Sequence, residues 1–422
     1  MRIDEIKIQN FKGFKEQSFS FNSHMTVLIG DNGSGKSSIL DALSFVLGTF
    51  FLGIDGVPSR ALKEYEKRQV MVAPESIEVQ LPFRIDVQHS LADEQYDWFR
   101  DTDKRKGGAT SYRHANQLIN QAKLYTQQVR EGVDISLPLI AYYGTERLAR
   151  EKYEHLSYRK KGSRLSGYYN ALDSSCIFKK SLEWFKTLED SILKFKMDDT
   201  LYKAFTEVIT SMVPSWTQIR FSWEADDMLG QLDRGAWVSF RMMSDGYQNI
   251  IRLAADIAYR AIILNPHLGA EAVRETEGVV LIDEIDMHLH PSWQKTIIAD
   301  LKRTFPKIQF IVTTHSPFIV QSLRSEELIN LDGSTGENPF VKSIEEIAAT
   351  EMQVENVRRS EAFNTLQTLA ATYFDLVEQG KTVSDDIEMC RIKAELDTIE
   401  LEFSEDPVYI ALMQAERQTE LR

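Results

Sequence analysis

Cysteine is nearly absent, with only Cys176 and Cys390 in 422 residues, far apart and in no CxxC pair. Nothing therefore suggests a disulfide framework, and a reducing compartment is expected. Long apolar runs are also missing. The longest uncharged stretch near the N-terminus lies between Asp41 and Asp55, whereas a membrane-spanning helix takes about 20 apolar residues. The opening Met1-Arg2-Ile3-Asp4-Glu5-Ile6-Lys7 has charges where a signal peptide would carry its apolar segment, so a cytoplasmic protein with no membrane partner is expected. Positive charge is in deficit too: 49 Lys and Arg face 63 Asp and Glu, a formal net charge of −14. A nucleic-acid coat protein needs net positive potential and is excluded, so any DNA contact must be local. Residues 351–422 hold 7 basic against 16 acidic residues, so the deficit sits mostly in the tail.

The chain does contain an ordered alternation of elements, in a length that suits two to three domains with a large core. Ile3, Ile6, Ile8, Phe19 and Phe21 precede the run Thr26-Val27-Leu28-Ile29, which predicts a small antiparallel sheet feeding a buried strand. Helical spacing starts at Ser37, with Ile39, Leu40, Leu43, Val46 and Leu47 on one face. Further strands are predicted over 76–89, 138–143, 236–242, 278–282 and 308–313, and helices over 150–213, 246–264 and 292–305. Strands alternating with helices imply a largely parallel sheet. Heptads do not persist, so a long coiled-coil arm is not expected. After Leu331 come acidic amphipathic helices with an apolar stripe of Val357, Phe363, Leu366, Leu369, Tyr373 and Leu376.

Gly30-Asp31-Asn32-Gly33-Ser34-Gly35-Lys36-Ser37 fits GxxxxGK[ST] between a buried strand and a helix. Glycines let backbone N–H groups converge on phosphate oxygens, and the helix N-terminus adds partial positive charge. Lys36 would neutralise the β and γ phosphates and the Ser37 hydroxyl would ligate Mg²⁺. Asn32, Gly33, Gly35 and Ser38 complete the expected contacts. Far downstream, Val279-Val280-Leu281-Ile282-Asp283-Glu284 is an apolar strand ending in two acids, at the carboxyl edge where open α/β sheets bind ligands. Asp283 suits the Mg²⁺ shell, and Glu284 is the candidate for polarising the attacking water. Asp283 stands 247 positions after Lys36, more than a compact GTPase absorbs. Met243-Ser244-Asp245-Gly246-Tyr247-Gln248 opens a helix between them, and Thr313-Thr314-His315-Ser316-Pro317 follows the next strand. Taken alone, Ser244 reads as a helix cap and His315 as a structural histidine; their order raises both.

In that order, Gly30 to Ser37, Ser244 to Gln248, Asp283-Glu284-Ile285-Asp286 and His315 resemble the ABC-type ATPase heads of the SMC, Rad50, RecF and OLD group. The resemblance implies an α/β P-loop NTPase fold, a largely parallel sheet plus an N-terminal antiparallel sheet. Residues 1–90 and 236–335 would form the head, 91–235 a mainly helical insertion and 336–422 an acidic helical extension. It implies ATP and Mg²⁺ as cofactors, with Ser37 and Asp283 at the metal, and Glu284 and His315 as catalytic groups. Ser244 and Gly246 of one subunit would face the γ-phosphate held by Lys36 of another, and Asp286 would join the nucleotide contacts, in a homodimer or higher homo-oligomer. Ile8-Gln9-Asn10-Phe11-Lys12-Gly13-Phe14 is similar to the group's opening, whose basic residue helps hold nucleotide, which makes Lys12 a candidate. Asp245 and Tyr247 stand where transporters carry Gly and Gln, siding with the DNA-linked heads. Tyr143-Gly144-Thr145-Glu146-Arg147 is either the Q-loop or an ordinary charged loop. His288 and His290 could bind a metal, but no third ligand is spaced nearby.

No acidic motifs of a Toprim nuclease follow His315. Instead Asp385-Asp386-Ile387-Glu388 and Ser404-Glu405-Asp406-Pro407 resemble the C-terminus of the Septu-type anti-phage ATPases, which work with a separate HNH-type nuclease; a solvated helical face is the plain alternative. The implied function is an ATPase subunit of a defence complex that controls a nuclease partner, against a RecF- or SMC-like DNA-repair ATPase without one. Two basic clusters are candidates for DNA contact: Lys104-Arg105-Lys106 with Arg100 and Arg113, and Arg159-Lys160-Lys161 with Arg164 among Tyr158, Tyr168 and Tyr169.

Overall fold

The structure, a computed structural model, describes residues 1–73, 76–91, 94–148, 163–173, 178–213, 215–333, 338–354, 361–381, 383 and 386–400. It divides into two compact units, Met1–Ile344 and Glu345–Arg422. In the first, the elements are β1 (Arg2–Phe11), β2 (Phe14–Ser20), β3 (Met25–Ile29), α1 (Lys36–Phe51), the hairpin β4 (Gln69–Ala73) and β5 (Ser76–Val79), β6 (Phe83–Leu91), β7 (Glu94–Thr102), α2 (Asn116–Arg130) and β8 (Leu139–Tyr143). There follow α3 (Phe178–Phe195), α4 (Thr200–Met212), β9 (Trp216–Ser222), β10 (Asp227–Leu232), β11 (Trp237–Ser239), α5 (Asp245–Leu264) and α6 (Ala272–Glu275). The last are β12 (Gly278–Ile282), α7 (Pro291–Gln294), α8 (Ile297–Thr304), β13 (Ile308–Thr313), α9 (Pro317–Val320) and β14 (Leu328–Asn330); α10 (Ile344–Thr350) belongs, but for its first residue, to the second unit.

The central sheet is parallel throughout, in the order β14-β3-β13-β12-β8. Strands β3, β8, β12 and β13 are buried at every residue, which is why they read as unbroken apolar runs. A second, antiparallel sheet has the order β2-β1-β6-β7. The three-residue step from Ile3 to Ile6 breaks strict alternation, and the pairing of β1 with β6 shifts register between Ile3 and Glu5 to absorb it. The α/β head with an added antiparallel sheet is as the motifs implied.

Boundaries differ from expectation in physically simple ways. The stretch 76–89 is two strands parted at Leu81-Pro82, since proline cannot donate to a ladder. The helix expected over 292–305 is interrupted between Gln294 and Ile297. Residues 91–235, expected as a mainly helical insertion, supply β7 to the antiparallel sheet and β8 to the edge of the parallel one. The β7 signal is weak because its inward positions include Arg100 and Thr102 beside Trp98.

In the second unit, α11 (Glu361–Glu378) and α12 (Ile387–Glu400) enclose Leu376, Met389, Ile392 and Leu396, with Leu369 and Tyr373 packed against them. That part of the apolar stripe covers the unit's own core. Val357, the side chains of Phe363 and Leu366, Cys176, Asp385 and the Ser404–Pro407 motif lie outside the described residues or side chains. Asp386 caps α12, accepting from the N–H groups of Glu388 (2.9 Å) and Met389 (3.1 Å). Among the described residues no helix is long and apolar enough to cross a membrane.

One buried base in the antiparallel sheet predicts acid sensitivity. His89 on β6 accepts a hydrogen bond at Nδ1 from the Trp98 indole at 2.9 Å and stacks on Tyr96. Burial lowers its pKa to about 4 from 6.5, so the folded state favours the neutral ring. Its contribution is complete above pH 6.5 and is lost as pH falls towards 4, reaching about 3 kcal/mol at the limit. His89→Gln should flatten the urea-midpoint profile across that window; an unchanged acid limb would refute the assignment.

Candidate functional site

The carboxyl ends of β3, β13, β12 and β8 stand side by side, fixed by the register Val27–Val312, Val312–Ile282 and Ile282–Tyr143. From β3 the chain enters the phosphate loop, where Ser34 N–H donates to Asp31 O at 3.2 Å and α1 begins at Lys36. Gly35 has φ +107°, and a Cβ there would lie 2.5 Å from Phe14 Cζ, so only glycine fits. Asn32, Gly33 and Ser37 are exposed, and Ser38 is half-buried in the first turn of α1. The Lys36 ammonium is buried and donates to Gly30 O (2.6 Å) and Asp31 O (2.8 Å). Burial pulls its pKa down, against the opposing pull of Asp332, Asp283, Asp31 and Glu284.

Asp283 follows β12 directly, held by its N–H on Tyr143 O at 2.8 Å. Its Oδ1 accepts from Thr313 Oγ1 (2.6 Å) and Ser37 Oγ (3.2 Å). The Ser37 hydroxyl in the first turn of α1 and the Asp283 carboxylate at the end of β12 are hard-oxygen donors of the kind Mg²⁺ takes, so these residues fit the ion. Glu284 adopts φ +48°, and its N–H donates to Thr313 Oγ1 at 2.7 Å. Thr313 thus braces both acids. The adjacent Thr314 donates to Asp286 Oδ1 at 2.6 Å, and His315 stands next in the chain, exposed. Lys12 is paired with the loop's helix: at φ +47° its ammonium bonds the carboxylate of Asp41 on α1, which Arg60 also engages at 3.0 Å.

Ser244 occupies the N-cap position of α5 but makes no side-chain cap bond, and it is exposed. Ser244 caps the helix through its backbone, its carbonyl accepting from Gln248 N–H at 3.0 Å, and leaves its hydroxyl outside the cap. Gly246 is buried, and a Cβ there would lie 2.4 Å from His288 O. Its lack of a side chain is demanded by the 286–290 loop of the same chain, a close approach that the motif alone did not reveal. Asn249 reinforces the contact by donating to Met287 O at 2.9 Å. His290 pairs with Ser292 (2.8 Å) at the start of α7. Among the described residues no group of three or more His, Cys, Asp or Glu could hold a metal.

Arg147 is the largest feature that sequence reasoning missed, noted only as the end of a candidate loop. Its buried guanidinium donates to Asn249 Oδ1 (2.9 Å), Gly144 O (3.0 Å), Asp283 O (2.5 Å) and Glu284 O (2.6 Å). It ties the end of β8 to the backbone of both acids and to α5. Behind it, Tyr143 OH and Arg260 Nε both donate to Asp256 Oδ2 at 2.8 Å.

Of the two basic clusters, Arg100 and Arg164 are engaged inside the protein, while Arg113 is exposed. Arg100 is buried against Phe45, donates to Thr49 Oγ1 at 2.9 Å, and has its pKa brought down to about 10 by burial. The buried Lys67 ammonium gathers the carbonyls of Lys104 (2.6 Å) and Gly107 (2.8 Å), leaving the side chains of Lys104, Arg105 and Lys106 exposed. Arg164 donates to Leu264 O at 2.8 Å, and the buried Tyr168 to Pro138 O at 2.8 Å. Tyr158 and residues 159–161 lie outside the described residues.

A phosphate loop after β3, a carboxylate pair after β12 and a hydroxyl-rich turn after β13, on a parallel sheet with an added antiparallel one, define an ABC-type P-loop ATPase head. Residues 25–321 match the family model described as "AAA domain, putative AbiEii toxin, Type IV TA system", and the chain belongs to that family. It is similar to the "Retron Vc95 probable ATPase" of Vibrio cholerae serotype O1 biovar El Tor, at 29% identity over 90% of this chain and 84% of that protein. The "Retron Ec83 probable ATPase" of Escherichia coli is 26% identical over 78% of this chain and 71% of its own length. The "Septu protein PtuA" of Bacillus thuringiensis is 24% identical, over 81% and 78%.

Proposed function

We propose that the chain binds ATP with Mg²⁺ and hydrolyses it in a head-to-tail homodimer or larger homo-oligomer, as the cytoplasmic ATPase subunit of an anti-phage defence complex controlling a separate HNH-type nuclease. The observation that carries the chemistry is the meeting of Ser37, Asp283 and Thr313 beside Glu284. Bound Mg²⁺ would supply charge neutralisation at the terminal phosphates. Ser37 and Asp283 would hold the ion. Lys36, Asn32, Gly33, Gly35 and Ser38 would bind the phosphates, with Lys12 and Asp286 nearby, while Glu284 takes the proton of the attacking water and His315 contacts the γ-phosphate. The exposed Ser244, its hydroxyl outside the cap, supports completion of each site by the neighbouring subunit. Likeness to the retron and Septu proteins supports the defence role and the separate partner.

The test is subunit mixing. Lys36→Ala should lose ATP binding in calorimetry, and Ser244→Arg should bind ATP without turning it over. Mixed under verified exchange, the two should regain hydrolysis because one composite site is intact. Continued inactivity would refute the shared site. A neighbouring gene for a small HNH nuclease would separate the defence reading from a solitary repair ATPase.

A further inference from the structure

A carboxylate from 301 residues downstream meets Asp31 of the phosphate loop. Strand β14 runs parallel to β3 with Asn330 opposite Ile29, and Leu331 N–H donates to Ile29 O at 3.0 Å. Asp332 therefore comes level with Gly30 and Asp31. Its Oδ2 accepts a hydrogen bond from Asp31 N–H and lies 2.8 Å from where a Cβ on Gly30 would stand. Its own N–H donates to Asn330 Oδ1 at 3.1 Å, which fixes the turn. The Lys36 ammonium is bonded to the carbonyls of the same two loop residues, and of the neighbouring carboxylates Asp332 acts on it most strongly.

A phosphate loop binds anions because converging amides, a helix N-terminus and a lysine together make it positive. A carboxylate packed on its first turn subtracts from that field. We propose that Asp332 sets the affinity of the nucleotide site: its hydrogen bond fixes the loop's entry, while its charge opposes polyphosphate and opposes triphosphate more than diphosphate. This rests on the loop being a nucleotide site. It makes Asp332 a residue that tunes nucleotide discrimination, distinct from those that grip phosphate or metal.

Two variants of the full chain separate charge from geometry. Asp332→Asn keeps an acceptor for Asp31 N–H and removes the charge; Asp332→Ala removes both. Calorimetry should show Asp332→Asn binding ATP about 5- to 10-fold more tightly, the effect of one screened charge at short range, with a smaller gain for ADP and a gain that shrinks as salt rises. Asp332→Ala should gain less than Asp332→Asn. If the wild type binds ATP and folded Asp332→Asn binds it equally or more weakly, this proposal is overturned and the nucleotide site stands. If neither folded protein binds ATP, the nucleotide reading falls and takes the proposal with it.

Discussion

Glu284→Gln should bind ATP about as well as the wild type and turn it over about 10²- to 10³-fold more slowly. The substitution preserves volume and an oxygen acceptor but removes the base, and general-base catalysis is worth about that factor. Local structure should survive, because the contacts that fix this residue are made by its backbone: its N–H to Thr313 Oγ1 and its carbonyl to Arg147. Single-turnover hydrolysis with calorimetry on the same preparation is the check. The ATP-loaded assembly should also persist long enough to be seen by light scattering. Turnover above a tenth of wild type would remove Glu284 from the role of base.

Arg147→Ala should be the most destabilising single change near the site. It strips hydrogen bonds from the carbonyls of Gly144, Asp283 and Glu284 and from the Asn249 side chain. A buried acceptor left unsatisfied costs about 1–3 kcal/mol, and since neighbouring losses do not add fully, about 3–5 kcal/mol in total is expected. Arg147→Lys should recover only part, because an ammonium cannot span acceptors that a planar fork reaches from several sides. Urea unfolding gives the stability. The rate per folded molecule should fall as well, since the released carbonyls belong to the two acids. A loss under about 1 kcal/mol with full turnover would show that Arg147 positions nothing.

The parts of this site that were legible in the sequence are those whose chemistry is local. The phosphate loop is a run of eight residues bounded by its own strand and helix, and Asp283-Glu284 ends an apolar run, a signal that is ambiguous alone and gains its meaning from being paired with the loop. What stayed hidden is what arrives from elsewhere in the chain. Asp332 reaches Asp31 only because β14 pairs with β3. Thr313 braces two acids only because β13 lies beside β12. Arg147 resembles any charged loop residue until folding closes four acceptors around it. Gly246, which the motif places facing a phosphate, has a second reason to be glycine that only the fold reveals: a Cβ there would meet His288 O.

That contact carries a consequence for timing. With no room for even a methyl group between Gly246 and the His288 carbonyl, and with Asn249 bonded both to Met287 O and to Arg147, the start of α5 cannot shift without dragging the turn that bears Asp283 and Glu284. A subunit whose Ser244 is pushed by a neighbour's nucleotide would have its own cleavage machinery displaced by the same stroke. Two such subunits would set one another's rate, and a lone occupied site would turn over more slowly than the same site in a doubly loaded pair.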